Sequence, residues 1–120
     1  MKFENSFVLN TCVDDVWNFY THTNHLNLIA PPQIHLKVVS STSSQLRAGV
    51  LVTMSARYLF FQKTWKPEIT YSENFKYVDE MIIGPFHKWI HTHIFVELSA
   101  SKTKVNDNID FELPFYSGVA

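Results

Sequence analysis

Alternation of apolar and polar residues dominates this chain, and it predicts strands nearly everywhere. Over residues 2–9, Phe3, Phe7 and Leu9 fall opposite Lys2, Glu4 and Ser6; successive side chains on a strand face opposite ways, so this is a first strand. Asn10-Thr11 then opens a helix, with Thr11 as N-cap and Asp14 three residues on in the manner of a capping box. Over residues 13–20, Val13, Val16, Trp17 and Tyr20 recur at helical spacing against Asp14, Asp15 and Asn18. A second short helix is expected over residues 24–29, presenting Leu26, Leu28 and Ile29. Pro31-Pro32 ends it, because proline supplies no helical N–H and pushes its predecessor into an extended conformation.

Six further strands follow in series. Residues 34–39 set Ile34, Leu36 and Val38 against His35 and Lys37, and a polar loop covers residues 40–45. Residues 49–59 alternate Val50, Val52, Met54, Ala56 and Tyr58 with Thr53, Ser55 and Arg57. Residues 61–71 set Phe61, Trp65, Ile69 and Tyr71 against Gln62, Lys66 and Glu68, and Pro67 marks an edge or a bulge. Residues 75–83 place Phe75, Tyr77, Asp79 and Met81 on one face, and residues 103–113 place Val105, Asp107, Ile109 and Phe111 inward. Between them, residues 88–98 carry Trp89, His91, His93 and Phe95 on a single face, entered through Gly84-Pro85. Strand, two short helices and six strands joined by short turns predict one α+β domain over residues 1–120, its sheet an antiparallel meander of seven strands. A sheet with one polar face must curl its apolar face around something.

Composition narrows the function classes. With 46% hydrophobic and 18% charged residues, the chain is an ordinary globular one. Three glycines leave no phosphate-cradling loop, and neither GxGxxG nor GxxxxGK[ST] occurs. The net charge is −1 with scattered Lys and Arg, where a nucleic-acid binder would show a basic stripe. A single cysteine, Cys12, excludes an internal disulfide and a cysteine zinc cluster. No signal-like or membrane-length apolar run is present, and a cytoplasmic protein is expected.

The row Trp89, His91, His93, Phe95 is too apolar for a solvated face and too polar for a plain core, which suits a cavity wall. Two imidazoles at i and i+2 stand ~7 Å apart along a strand and can share a metal ion, with Asp79 or Asp107 as the inward third ligand. The preferred reading is simpler: the rings hydrogen-bond to a neighbouring strand or carboxylate, and neither a metal nor a cofactor is expected. Asp79 and Asp107 must pair, bind water or shift upward in pKa, since burial disfavours their charge. Paired with His91 or His93, either carboxylate could complete a general acid and base; a structural His–Asp hydrogen bond fixing strand register is the favoured alternative. Met54, Tyr58, Phe61, Trp65, Tyr77, Trp89 and Phe95, with His91 and His93, are the expected ligand-binding set. Apolar pockets with a few placed polar groups accept flat hydrophobic molecules.

Strand, two small helices and a six-stranded meander resemble the helix-grip fold of the START-like, or Bet v 1-like (SRPBCC), superfamily. The motif Gly84-Pro85-Phe86, Trp89, His91, His93, Phe95, preceded by Phe75 and Val78-Asp79-Glu80, resembles a bacterial branch of polyketide cyclase/dehydrase type. Val16-Trp17, Asn27, Pro31-Pro32, Gly49, Trp65, Ile69, Asp107 and Leu113-Pro114-Phe115 fall where that branch would place them. The resemblance implies a curved sheet that grips a long C-terminal helix, and a cavity for a hydrophobic ligand such as a lipid, polyketide or isoprenoid. Only Tyr116-Ser117-Gly118-Val119-Ala120 follow Leu113-Pro114-Phe115, too few for a three-turn helix. The long helix is therefore expected to be absent, and a homodimer through the open concave face or the open edges of the sheet is expected in its place. Three functions compete: carriage of a hydrophobic small molecule, cyclase/dehydrase-type catalysis by His91 or His93 with Asp79 or Asp107, and a dimerising interaction module.

Overall fold

A computed structural model describes residues 1–29, 35–58 and 61–113. The chain runs β1 (Lys2–Leu9), α1 (Val13–Tyr20), a 3-10 turn (Thr23–His25), α2 (Leu26–Ile29), β2 (Lys37–Ser41), β3 (Val52–Tyr58), β4 (Phe61–Glu73), β5 (Lys76–Ile83), β6 (Lys88–Ser99) and β7 (Lys102–Glu112). The seven strands form one antiparallel sheet in the order β1-β7-β6-β5-β4-β3-β2. Hairpins link β2 through β7, and β1 closes the series by pairing with β7. The edges, β1 and β2, do not meet, so the sheet is an open trough. Among the described residues no helix follows β7; the expectation for the chain beyond Leu113 lies outside them, as do Pro31-Pro32 and Ile34. No described helix is long and apolar enough to cross a membrane.

One end of the trough is filled from the sequence outward. The helical stripe of α1 buries Val13, Val16 and Tyr20 in one core with Tyr77, Phe95 and Val105 of the sheet and Leu46, Val50, Val52 and Ile69 beside them. Trp17 stands edge-on to Phe75, Tyr77 and Phe95 at ring centroid separations of 5.9, 6.2 and 5.7 Å. Such T-shaped contacts add to simple area burial. Asp14 and Asp15 occupy the first turn of α1, where carboxylates favour the positive end of the helix dipole.

Several local expectations are corrected. The N-cap of α1 is Cys12, not Thr11, and no side chain caps the helix. Thr11 is held outside because its carbonyl accepts a 2.8 Å hydrogen bond from the fully buried Thr103 hydroxyl on β7. Phe75 lies in the β4–β5 turn instead of in β5: Asn74 and Phe75 both have positive φ, 54° and 58°, between the paired Glu73 and Lys76. Two left-handed residues match the right-handed twist of the flanking strands, and the contact of Phe75 with Trp17 offsets the cost of a non-glycine there. β2 starts at Lys37, two residues past His35, whose own φ is +49°. In β4, Pro67 does sit at a bulge, and a second register shift between Ile69 and Tyr71 turns Tyr71 to the outer face. Phe3 and Phe7, expected inward on β1, are 54% and 37% exposed, because α1 does not reach that edge strand.

Candidate functional site

Opposed residues of antiparallel strands share a face, so the pairing register alone assembles the site. On the concave face His93 lies between Tyr77 of β5 and Asp107 of β7, and His91 lies between Asp79 and Ile109. The two expected imidazoles and the two expected carboxylates therefore converge on three central strands. Their rings continue the aromatic core as a stack: Tyr77 lies on His93 at 3.9 Å and 12°, and His93 lies on His91 at 3.7 Å and 27°. Beyond His91 comes Trp89, and the cover of α1 has ended.

The two imidazoles and two carboxylates form a closed ring of contacts. His93 donates from Nε2 to Asp79 Oδ2 at 2.8 Å, and His91 donates from Nε2 to Asp107 Oδ1 at 3.1 Å. His93 Nδ1 lies 3.2 Å from Asp107 Oδ1, and His91 Nδ1 lies 4.0 Å from Asp79 Oδ2. The His93 Nδ1 contact is close enough for attraction but off the line of a hydrogen bond, so that buried atom has no aligned partner. Burial works against charge on His93, yet its contacts with Asp107 and Asp79 outweigh it and raise the imidazole pKa. Burial would lift Asp107 as well; the hydrogen bond from His91, the close contact of His93 and the field of both rings hold it far below the usual carboxylate range. Burial first, then the field of Asp79 and Asp107, pushes the Tyr77 phenol well above its ordinary value. Tyr20, reaching in from α1, is raised by burial and by Asp107. The quartet is thus a hydrogen-bonded polar island at the limit of the core.

Next to it lies a half-buried aromatic cluster. Trp65 stands perpendicular to Trp89 at 4.8 Å, and Phe86 lies 4.9 Å from Trp89 and 5.7 Å from Trp65. Phe111 completes the group, 5.8 Å from Phe86 and 6.1 Å from Trp89. Of the expected ligand-binding residues, Trp65, Trp89 and His91 sit in this open part. Tyr77 and Phe95 are buried beneath α1, and Met54 is half-buried against the same core. The side chains of Tyr58 and Phe61 lie outside the described residues. Phe86 and Phe111 were not among the expected ligand-binding residues. Phe111 could have been found from its inward phase on β7; Phe86 sits in the turn before β6, where strand periodicity gives no signal.

This architecture is the helix-grip fold of START-like, Bet v 1-like (SRPBCC) proteins. A START superfamily protein from Mycobacterium smegmatis superposes with a TM-score of 0.73 at 10% identity, over 93% of this chain and 77% of that one. An aromatase/cyclase from a Streptomyces species gives 0.75 at 14% identity, over 94% and 68%. Norcoclaurine synthase from Thalictrum flavum, in complex with dopamine and hydroxybenzaldehyde, gives 0.72 at 14% identity, over 100% and 74%. No protein-family model matches the sequence. No curated protein matches it either.

Proposed function

We propose that the chain binds a hydrophobic small molecule of lipid, polyketide or isoprenoid type in the open end of the trough. One observation carries this reading: the cover of α1 stops at the His–Asp quartet and leaves Trp65, Phe86, Trp89 and Phe111 only half-buried beside it. Aromatic walls with a few convergent polar groups are the usual chemistry of such pockets. The likeness to a cyclase and to norcoclaurine synthase supports the shape of the binding face and leaves the ligand open, because one fold hosts many functions. The test is native mass spectrometry of the full chain purified without denaturing steps, combined with titration of anilinonaphthalene sulfonate. Retention of an organic mass of a few hundred daltons on the order of the usual pocket size, and probe binding weakened by Trp89→Ala, are expected. Saturable probe binding that survives both Trp89→Ala and Trp65→Ala would place any ligand elsewhere.

A second reading, a cyclase/dehydrase-type enzyme, is favoured by the hydrogen-bonded His91–Asp107 and His93–Asp79 pairs at the edge of the trough. A histidine oriented by a carboxylate can move a proton to or from a bound carbonyl compound. Turnover that disappears in His91→Ala while ligand affinity is kept would establish it. For self-association, the support is the exposure of Phe3 and Phe7 on one face of edge strand β1 and of Val8 on the other; a sedimentation profile of a monomer at high concentration would remove that part of the reading.

A further inference from the structure

We infer that Asp79, His91 and His93 form a binding site for one late first-row divalent cation, zinc by its donor chemistry, with Asp107 holding both rings from behind. A single donor atom from each of the three residues lies within 4.8 Å of the others. The orientation of the rings is the stronger observation. Asp107 Oδ1 faces His91 Nε2 at 3.1 Å and His93 Nδ1 at 3.2 Å. The opposite nitrogens, His91 Nδ1 and His93 Nε2, face Asp79 Oδ2 at 4.0 and 2.8 Å. Metal-bound histidines commonly give the N–H away from the metal to a carboxylate, which fixes tautomer and ring angle. Here Asp107 takes the hydrogen bond of His91 and stands 3.2 Å from the free Nδ1 of His93, while Asp79 faces the other nitrogen of each ring.

Size and charge agree. Ligand atoms ~2.0–2.2 Å from a tetrahedral zinc stand roughly 3.3 Å apart, between the two separations from Asp79. The 2.8 Å contact has to open and the 4.0 Å contact to close, each by a fraction of an ångström. The two rings, stacked at 3.7 Å and 27°, have to fan apart so that both in-plane lone pairs meet the ion, by rotation about their side-chain torsions. When both imidazoles are neutral, as ligands to a cation must be, the two carboxylates leave negative charge in a largely dry place, with side chains of Asp79, His91 and His93 only 15%, 19% and 8% exposed. Such charge requires compensation. His93 Nδ1, buried with no aligned partner, is the atom a proton must occupy once Nε2 is bound to a cation, and there it faces Asp107. Two nitrogens and one oxygen suit zinc and its neighbours and disfavour magnesium or calcium. All three ligands stand on the paired central strands β5 and β6, so no loop has to close. Three protein ligands leave a fourth position for water or another donor. The inference stands apart from the identity of any organic ligand.

The test uses the full chain stripped with a chelator, then titrated calorimetrically with Zn²⁺ and spectroscopically with Co²⁺. One ion per chain and cobalt d–d bands of tetrahedral intensity are expected. His91→Gln and Asp79→Asn should each weaken binding by more than ~100-fold, and Asp107→Asn by ~10–100-fold, as for an orienting carboxylate. The double variant His22→Ala/His25→Ala removes the other pair of neighbouring imidazoles, 5.3 Å apart, and should bind normally. Circular dichroism confirms that each variant is folded; should Asp79→Asn unfold, the more exposed His91→Gln carries the test. Absence of stoichiometric binding to the unaltered chain, undiminished binding in folded His91→Gln, or loss only in the His22/His25 variant would overturn the assignment.

Discussion

Replacing His93 with phenylalanine separates ring packing from charge balance in the quartet. Phenylalanine keeps a flat ring in the stack against Tyr77, now at 3.9 Å and 12°, so the packing loss is small. What disappears is the donor 2.8 Å from Asp79 Oδ2 and the neighbour 3.2 Å from Asp107 Oδ1. Removing one member of a buried ionic cluster costs about 3–5 kcal/mol, because the partner charges stay behind. A domain of this kind has roughly 5–15 kcal/mol in hand, so His93→Phe should still fold. Asp79→Asn alone keeps an amide oxygen to accept from His93 Nε2 and should cost about 1 kcal/mol, the difference between a charge-assisted and a neutral hydrogen bond. In the double variant the group stranded at position 79 is neutral, so the combined cost should fall short of the sum by about 1–3 kcal/mol. Urea unfolding followed by circular dichroism, with chelator present throughout, measures all four corners of the cycle. Additivity within about 0.5 kcal/mol would refute the idea that these residues act as one network.

Three further perturbations test the frame around the site. Thr103→Val removes the fully buried hydroxyl that donates to Thr11 O at 2.8 Å, and should lower stability by about 1–3 kcal/mol in urea unfolding through the stranded carbonyl. Val105→Ala, at a position with 0% exposure under α1, should cost about 2–3 kcal/mol by cavity formation, measured the same way. Gly49→Ala meets no atom within 4 Å but sits at φ +91°; its cost, roughly 1–3 kcal/mol, is that of backbone strain, and a thermal melt showing no loss would contradict that geometry.

The residues that were legible in the sequence are those whose signal is local. Lys2–Leu9 alternates, and the strand has those bounds; Val13, Val16 and Tyr20 recur at helical spacing, and all three are buried. Strand phase also puts His91, His93, Asp79 and Asp107 on one face, and the register joins them. The features that stayed hidden depend on partners distant in the chain. Thr11 looks like an N-cap until the Thr103 hydroxyl, 92 residues away, engages its carbonyl. Tyr71 keeps the inward phase of Ile69 on paper, and a bulge opposite β5 reverses it. Phe75 reads as the first strand residue because a phenylalanine at positive φ is uncommon. Its packing against Trp17 is a tertiary fact. Likewise, Phe3 and Phe7 alternate like core residues, and only the reach of α1 decides that they are not.

The place of the quartet along the trough sets how strongly its polar groups can act. Under α1, at Tyr77 and Phe95, polar groups would be shut off from any ligand; those residues are 2% and 4% exposed. Toward Trp89 and Phe111 the face opens, and water would weaken any electrostatic contact made there. His91 and Asp79 stand between these limits, with side chains 19% and 15% exposed. At this boundary a charge or a lone pair is desolvated enough to act strongly and still open to contact from the trough. Carrier, acid–base and metal readings all use that boundary and differ in what occupies the gap between His91 Nδ1 and Asp79 Oδ2. Both atoms are acceptors when His91 donates from Nε2, so their 4.0 Å separation calls for something positive between them. A ligand hydroxyl, a shared proton and a cation each meet that demand. The cation reading also gives Asp107 a use toward both rings, since its Oδ1 stands 3.1 and 3.2 Å from the nitrogens that a cation would leave free.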